Sequence, residues 1–478
     1  MRNTTKRFIQ GGEANTIYID PSYGSNGAGT ITDPKNTFVG LTLQSNYTYR
    51  LKRNTTYNSS TRIKLLSLTN TVIKDYGAEY EPRPIFNYSG TGYYAFQMHL
   101  CTSCMISNWE ITGPSSTGMI AGIGFGSDTG GFQCGPNNII NNCKVHQIGA
   151  DNGGAMGIRA GGSYLKILNN EIFNISVDGI FIADASNLEI GWCNVHHVNK
   201  YYSYNTGDTP SSGDGIQLDG IWDNYHIHHT TIDRSDGSTG NKFCLIISSL
   251  NTKNLTSKGI VEYCTFKTRS TVPGSIYISN GNGNVIRYNK FEGTEFGVRI
   301  SGAVDSSNIV QNNTIFNTLI HHNQFYNSDY GIIFSSQPVV DTRNTMVYNN
   351  VFYNIDYHIL IQGNNQYVDA RNNLHLKGLS GKALDNITGG SSYFSNNFYD
   401  NSSLISTRGA GLNAFIGDPK LVNASTYDFR LTADSSCINN GTDVSLSIYK
   451  DYYFNTIPQR EIPSIGIDEY VDLLPPIF

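Results

Sequence analysis

Asp178-Gly179 and Asp214-Gly215 stand directly ahead of two matching apolar segments, Ile180-Phe181-Ile182 and Ile216-Gln217-Leu218. The match predicts two carboxylates in equivalent places, one structural repeat apart. Such pairs cleave acetals: at about 5–5.5 Å the second carboxylate is a nucleophile, and at about 6.5–9.5 Å it activates a water. Crowded like charges lift one pKa above the other, so two identical residues can supply an acid and a base. Asp178 and Asp214 are therefore the expected catalytic residues. Asp-Gly is also a turn signal, and a purely structural corner predicts the same dipeptide.

A second set of side chains would surround a bound chain. His146, Phe173, His196 and Asp233 each follow the inward apolar residue of a recurring phrase, and Arg159 falls in the segment after it. Arg234 and Lys242 add cations which, with His196, could neutralise and deprotonate a uronate, the requirement of an elimination. Tyr201, Tyr202 and Tyr204 lie in the longest insertion, residues 199–213, where their rings could meet sugar C–H faces. His146, Arg159, His196, Tyr201, Tyr202, Tyr204, Asp233, Arg234 and Lys242 are thus the expected substrate-binding residues. His226, His228 and His229 lack an assured third partner of ligand spacing, and neither a metal nor a cofactor is expected.

Positioning these groups requires a repeat, and the chain carries one. From about 105 to 376 an apolar residue is followed by two polar ones, a small polar residue, any residue, and another apolar one. Ile140-Asn141-Asn142-Cys143-Lys144-Val145 and Ile167-Leu168-Asn169-Asn170-Glu171-Ile172 are clear copies. The small polar position reads Cys143, Asn170, Cys193, Thr230, Cys264, Asn289, Asn323, Asn350 and Asn373, at intervals of 23 to 37 residues. A floor near 23 with variable excess describes a solenoid coil with insertions at one corner. A second apolar segment of period two follows each phrase, as in Gly157-Ile158-Arg159-Ala160 and Gly297-Val298-Arg299-Ile300. The fold expected is all-β, a single-stranded right-handed parallel β-helix with an internal Asn/Cys ladder. Stacked amides in that ladder would satisfy one another. Cys143, Cys193 and Cys264 would be small buried thiols within it, and Cys101-Thr102-Ser103-Cys104 a buried or turn pair.

The repeat divides the chain into an N-terminal cap with first coils (1–104), a core (105–376) with insertions at 140–245, and last coils with a C-terminal cap (377–478). Lys+Arg of 33 against Asp+Glu of 38 gives a formal charge of −5, which excludes the basic face that nucleic acid requires. No apolar run reaches the ~18 residues of a membrane span. The 49 Gly and 31 Tyr, with abundant Asn, Ser and Thr, suit a polysaccharide partner. Met1-Arg2-Asn3-Thr4-Thr5-Lys6-Arg7-Phe8 is basic but shows no signal-peptide apolar stretch; either a signal has been trimmed or the protein leaves its cell another way, as a viral particle component does, and the expected location is extracellular or virion-associated. A homo-oligomer, trimeric for a tail protein, is compatible with that.

Ile17-Tyr18-Ile19-Asp20-Pro21, Asp75-Tyr76-Gly77-Ala78-Glu79 and the closing Ile465-Gly466-Ile467-Asp468-Glu469-Tyr470 resemble the opening and closing segments of bacterial polysaccharide-active β-helix proteins. Residues 274–300 resemble, more distantly, the chondroitinase B and alginate lyase family. In that resemblance the family's catalytic Arg and His would fall on Ser279 and Asn280, its Lys near Leu250, and its calcium ligands around Lys242 to Cys244. None of these matches, so the resemblance implies the fold and not the lyase mechanism. The function expected is glycan depolymerisation, with hydrolysis preferred. A polysaccharide lyase acting on a uronate glycan and a non-catalytic glycan-binding or phage tailspike protein are the alternatives.

Overall fold

The computed structural model describes residues 15–470, apart from 114–118, 128–133, 149–154, 199–212, 222, 236–242, 249–257, 269–273, 280, 294, 302–314, 336–341, 363–365, 379–381, 387–391, 406–408, 445–449 and 457–461. The described residues form two compact units, one ending at Asn224 and the other beginning at Tyr225. Each unit is built of coils with three strands per turn, and every coil pairs in parallel with the next.

In the first unit the first strand column includes Met105–Ser107, Ile139–Asn141, Lys166–Leu168 and Leu188–Gly191. The second includes Glu110–Gly113, Lys144–Ile148, Glu171–Ile175 and Asn194–Val198. The third includes Ala121–Phe125, Met156–Ser163, Ile180–Ser186 and Ile216–Ile221. Register keeps like residues in line: Ile140 faces Ile167, which faces Ile190, and Val145 faces Ile172, which faces Val195. All six are fully buried, while Lys144 and Glu171 alternate outward. A one-residue slip would turn the whole apolar set to solvent, so burial holds the register. Parallel strands in one sheet are joined by right-handed crossovers, and the chain is a right-handed parallel β-helix. The only antiparallel strand pair among the described residues is Leu421–Asn423 with Asp428–Leu431.

The recurring phrase is a corner between the first and second strands. Its second polar residue takes a left-handed backbone, with φ of 52° at Asn142, 58° at Asn169 and 53° at Trp192. The same conformation recurs in the second unit at His229, Tyr263, Tyr288, His322, Asn349 and Asn372. Asn tolerates this region best among side-chain-bearing residues, which explains why two Asn so often stand together there. The next residue points inward and forms the ladder. The Asn170 carboxamide accepts the Cys143 N–H at 2.8 Å and donates to the Ile140 carbonyl at 3.1 Å. In the second unit Asn289, Asn323, Asn350 and Asn373 each donate backbone and side-chain N–H groups to the following amide oxygen at 3.0–3.1 Å. The structure lengthens the ladder to Asn397, which the phrase had not included. Beside it runs an interior stack of near-parallel rings, Phe266, Phe291, Phe325, Phe352, His375 and Tyr399, with centroids 4.5–5.3 Å apart.

All eight cysteines are thiols, and Cys143, Cys193, Cys264, Cys101 and Cys104 are buried. In the second unit the C-terminal segment packs back along the corner. The Asn349 amide donates to the carbonyls of Ser464 and Gly466, and the Tyr288 hydroxyl to that of Lys450. Among the described residues no helix is long and apolar enough to cross a membrane.

Candidate functional site

The expected catalytic pair does occupy equivalent places. Gly157 N–H bonds to the Asp178 carbonyl and Gly179 N–H to the Asp214 carbonyl, so the two aspartates sit one coil apart at the corner before the third strand. Their surroundings differ from those expected. Asp178 is 2% and Asp214 1% exposed, and the Asp178 carboxylate accepts the Asp214 N–H at 2.7 Å. This is the bond of an inward corner brace, and the carboxylates do not form an open pair at a surface.

The outward groups of the second column do come together. His146, Phe173 and His196 stack in successive coils, with centroids 4.8 and 5.0 Å apart and planes within 10°. His146 Nε2 lies 2.8 Å from Glu110 and His196 Nε2 lies 3.4 Å from Glu171. The bond from His146 holds the Glu110 carboxyl below its ordinary range, against its own partial burial. Rings stacked on each other expose edges rather than faces, so this column offers hydrogen bonds and charge, not sugar-stacking platforms. Arg159 lies in the neighbouring third column and donates to the Tyr94 hydroxyl at 2.8 Å. Phe181 and Gln217 follow it in register.

In the second unit Asp233 closes a local turn, its carboxylate accepting the Ser235 N–H and hydroxyl. Arg234 corrects an expectation. It is fully buried and donates to the Phe243 carbonyl at 3.0 Å, so it lines no surface. Tyr201, Tyr202, Tyr204 and Lys242 lie outside the described residues. The histidine cluster is anchored by carboxylate: His226 Nε2 is 2.9 Å from Glu262, which also binds Arg287 at 2.7 Å. Among the described residues no group of three His, Cys, Asp or Glu could hold a metal ion.

The third column of the second unit carries a face that the reading of the sequence missed. Phe296, Tyr330 and Tyr357 follow one another in register, so Glu295, Asp329 and Asp356, each one residue before, form a parallel column of carboxylates. Tyr330 and Tyr357 stack at 5.5 Å, and Phe243 stacks on Tyr277 at 4.8 Å. The Arg299 guanidinium lies 5.9 Å from the Tyr277 ring centre and 5.6 Å from that of Phe296. The Phe296 ring lies over Gly274, where an added Cβ would come within 1.9 Å of it, so this position requires glycine. Burial lifts the Glu295 carboxyl above its ordinary range, Arg299 opposes the rise, and Asp329 adds to it. Asp329 is likewise raised, first by burial and then by Asp356. The signal was legible: Glu295-Phe296, Asp329-Tyr330 and Asp356-Tyr357 repeat an acid followed by an aromatic ring.

Coils of three parallel strands, an amide ladder and outward faces of rings and charges define the class as a right-handed parallel β-helix. No protein-family model and no curated protein matches the chain. Among solved structures the chain is similar to XylC in complex with xylose (TM-score 0.50, 10% identity, covering 95% of this chain and 98% of that one). It is also similar to pectate lyase Pel9A (0.43, 15%, 95% and 96%) and to the A-module of the mannuronan C-5 epimerase AlgE4 of Azotobacter vinelandii (0.43, 11%, 73% and 91%). The XylC likeness is one of fold.

Proposed function

We propose that this protein binds and cleaves a polysaccharide, which lies along the outward face of the third strand column in the second unit. One observation carries the reading: the half-buried rings of Tyr330 and Tyr357 and the carboxylates of Glu295, Asp329 and Asp356 follow one another in consecutive coils, beside the Arg299 guanidinium and over the buried Phe296. A glycan is itself periodic, and repeated rings and hydrogen-bonding groups at coil spacing suit successive sugars. Xylose in the fold-similar XylC structure agrees with a sugar ligand.

Hydrolysis is the reaction that the carboxylates support. Burial raises both Glu295 and Asp329, and two such carboxyls one coil or ~4.8 Å of backbone apart do not ionise together; we assign the proton for the glycosidic oxygen to Glu295 and the contact with the sugar carbon to Asp329. Asp178 and Asp214 then brace the scaffold, and His146, Arg159 and His196 give the first unit a binding face of its own. A second reading, elimination from a uronate, is favoured by the His146–Glu110 pair at 2.8 Å, a base beside an outward surface.

The test incubates the protein with neutral and uronate polysaccharides. New reducing ends without the ultraviolet absorbance of an unsaturated uronate mean hydrolysis, and that absorbance means elimination. Retention on a glycan without cleavage means a binding or tailspike protein. Glu295→Gln and Asp329→Asn should each lose about 10²-fold or more in rate, with unchanged melting. Full activity in both would overturn the assignment.

A further inference from the structure

The charge on this same face indicates the class of glycan, and the inference rests on the reading just given. Among the described residues its acids are Glu295, Asp329 and Asp356 in three consecutive coils and Asp385, in register with Leu360, in the next; its bases are Arg299 and Lys382. Lys382 is tied by its ammonium to the Ser403 carbonyl at 2.8 Å. Arg299 rests on the Tyr277 and Phe296 rings with its Nε 3.5 Å from the Ser335 hydroxyl. In the neighbouring second column Lys267 and Glu292 pair at 3.9 Å and cancel, and the exposed Lys290 offsets Asp233. A polyuronate brings a carboxylate with every sugar. Laid along these coils it would run beside the carboxylates of Asp329 and Asp356, only ~4.8 Å apart, with Glu295 holding its catalytic proton, well inside the ~8–10 Å over which salt leaves charges unscreened.

We propose that the glycan taken by this face is an uncharged polysaccharide, and that polyuronates are excluded by like charge. The reaction follows from the substrate. Elimination needs a proton made acidic by an adjacent carboxylate, which a neutral sugar lacks. In hydrolysis the Glu295 proton passes to the glycosidic oxygen, the bond from that oxygen to the sugar carbon breaks, and an Asp329 oxygen bonds to the carbon. Water then displaces Asp329, returning one proton to Glu295 and leaving its hydroxyl on the sugar.

The experiment is affinity electrophoresis of the whole chain in gels containing xylan, mixed-linkage glucan or galactomannan, and in gels containing alginate or polygalacturonate, at low and high salt. At least one neutral glycan should retard the protein equally at both salts, and neither polyuronate should retard it. Asp356→Asn, which removes one fixed charge, should give measurable polyuronate retention at low salt where the wild type shows none. Wild-type retention by a polyuronate above that by every neutral glycan would overturn the inference while leaving glycan binding intact. No retention by any of the five would instead remove the glycan reading itself, and this inference with it.

Discussion

Replacing Asn323 by Leu perturbs the ladder at its best-connected rung. The Asn323 oxygen accepts both the backbone N–H and the side-chain amide of Asn289 at 3.0 Å. Its own amide donates to the carbonyls of Ile286 and His321 and to the Asn350 oxygen at 2.9–3.0 Å. Leu matches the volume but leaves the two Asn289 donors without their acceptor in a fully buried place. Asn350 keeps the Asn323 backbone N–H, so its oxygen is not orphaned. Two unsatisfied buried donors at ~1–3 kcal/mol each predict a loss of about 2–6 kcal/mol, partly offset by the gain in apolar burial. The control is Asn354→Gly, at an exposed rung with φ of 59° whose amide bonds Asn327 at 2.7 Å. Glycine adopts that backbone freely, and an exposed bond is replaced by water, so its cost should stay within ~0.5 kcal/mol. Urea unfolding followed by circular dichroism reads both. A loss below ~1 kcal/mol for Asn323→Leu, or equal losses for the two variants, would refute the argument that burial makes the ladder costly to break.

Further outcomes follow from the same geometry. Burial raises Asp468 to about 6 and Glu469 to about 7, so the folded chain holds these protons more tightly than the unfolded chain does. Their stabilisation is full below the ordinary carboxylate range and is lost as pH rises toward 7, and Glu469→Gln should flatten the melting temperature over that window. Burial depresses His358 to about 3 and holds His375 well below its ordinary value, the opposite sign. Stability from this pair falls as pH drops below about 6.5, and His375→Phe should lessen the acid loss, measured by melting between pH 4 and 7. Burial pushes the Cys143 and Cys193 thiols up to about 11, and neither should react with a thiol reagent until denaturant is added. Asp178→Ala should cost about 1–3 kcal/mol by orphaning the Asp214 N–H, and substantial activity loss at unchanged stability would return Asp178 to catalysis.

The β-helix was legible because its causes are local and repeated. Period-two apolar residues such as Val145, Ile172 and Val195 must share a face, and the small residue after each left-handed corner must point inward. Nine copies of one phrase therefore determined the coils, the ladder and the burial of Cys143, Cys193 and Cys264. What a polar side chain at a corner does was not local. Asp178 and Arg234 read alike as surface charges, yet one braces the next coil and the other lies buried against the Phe243 carbonyl. Their burial depends on neighbours many residues away. The acid–aromatic column at Glu295, Asp329 and Asp356 was written in the sequence as a repeat, but only stacking brought its members one coil apart. Charge interaction falls with distance through space, and in a solenoid residues about 30 positions apart become nearest neighbours.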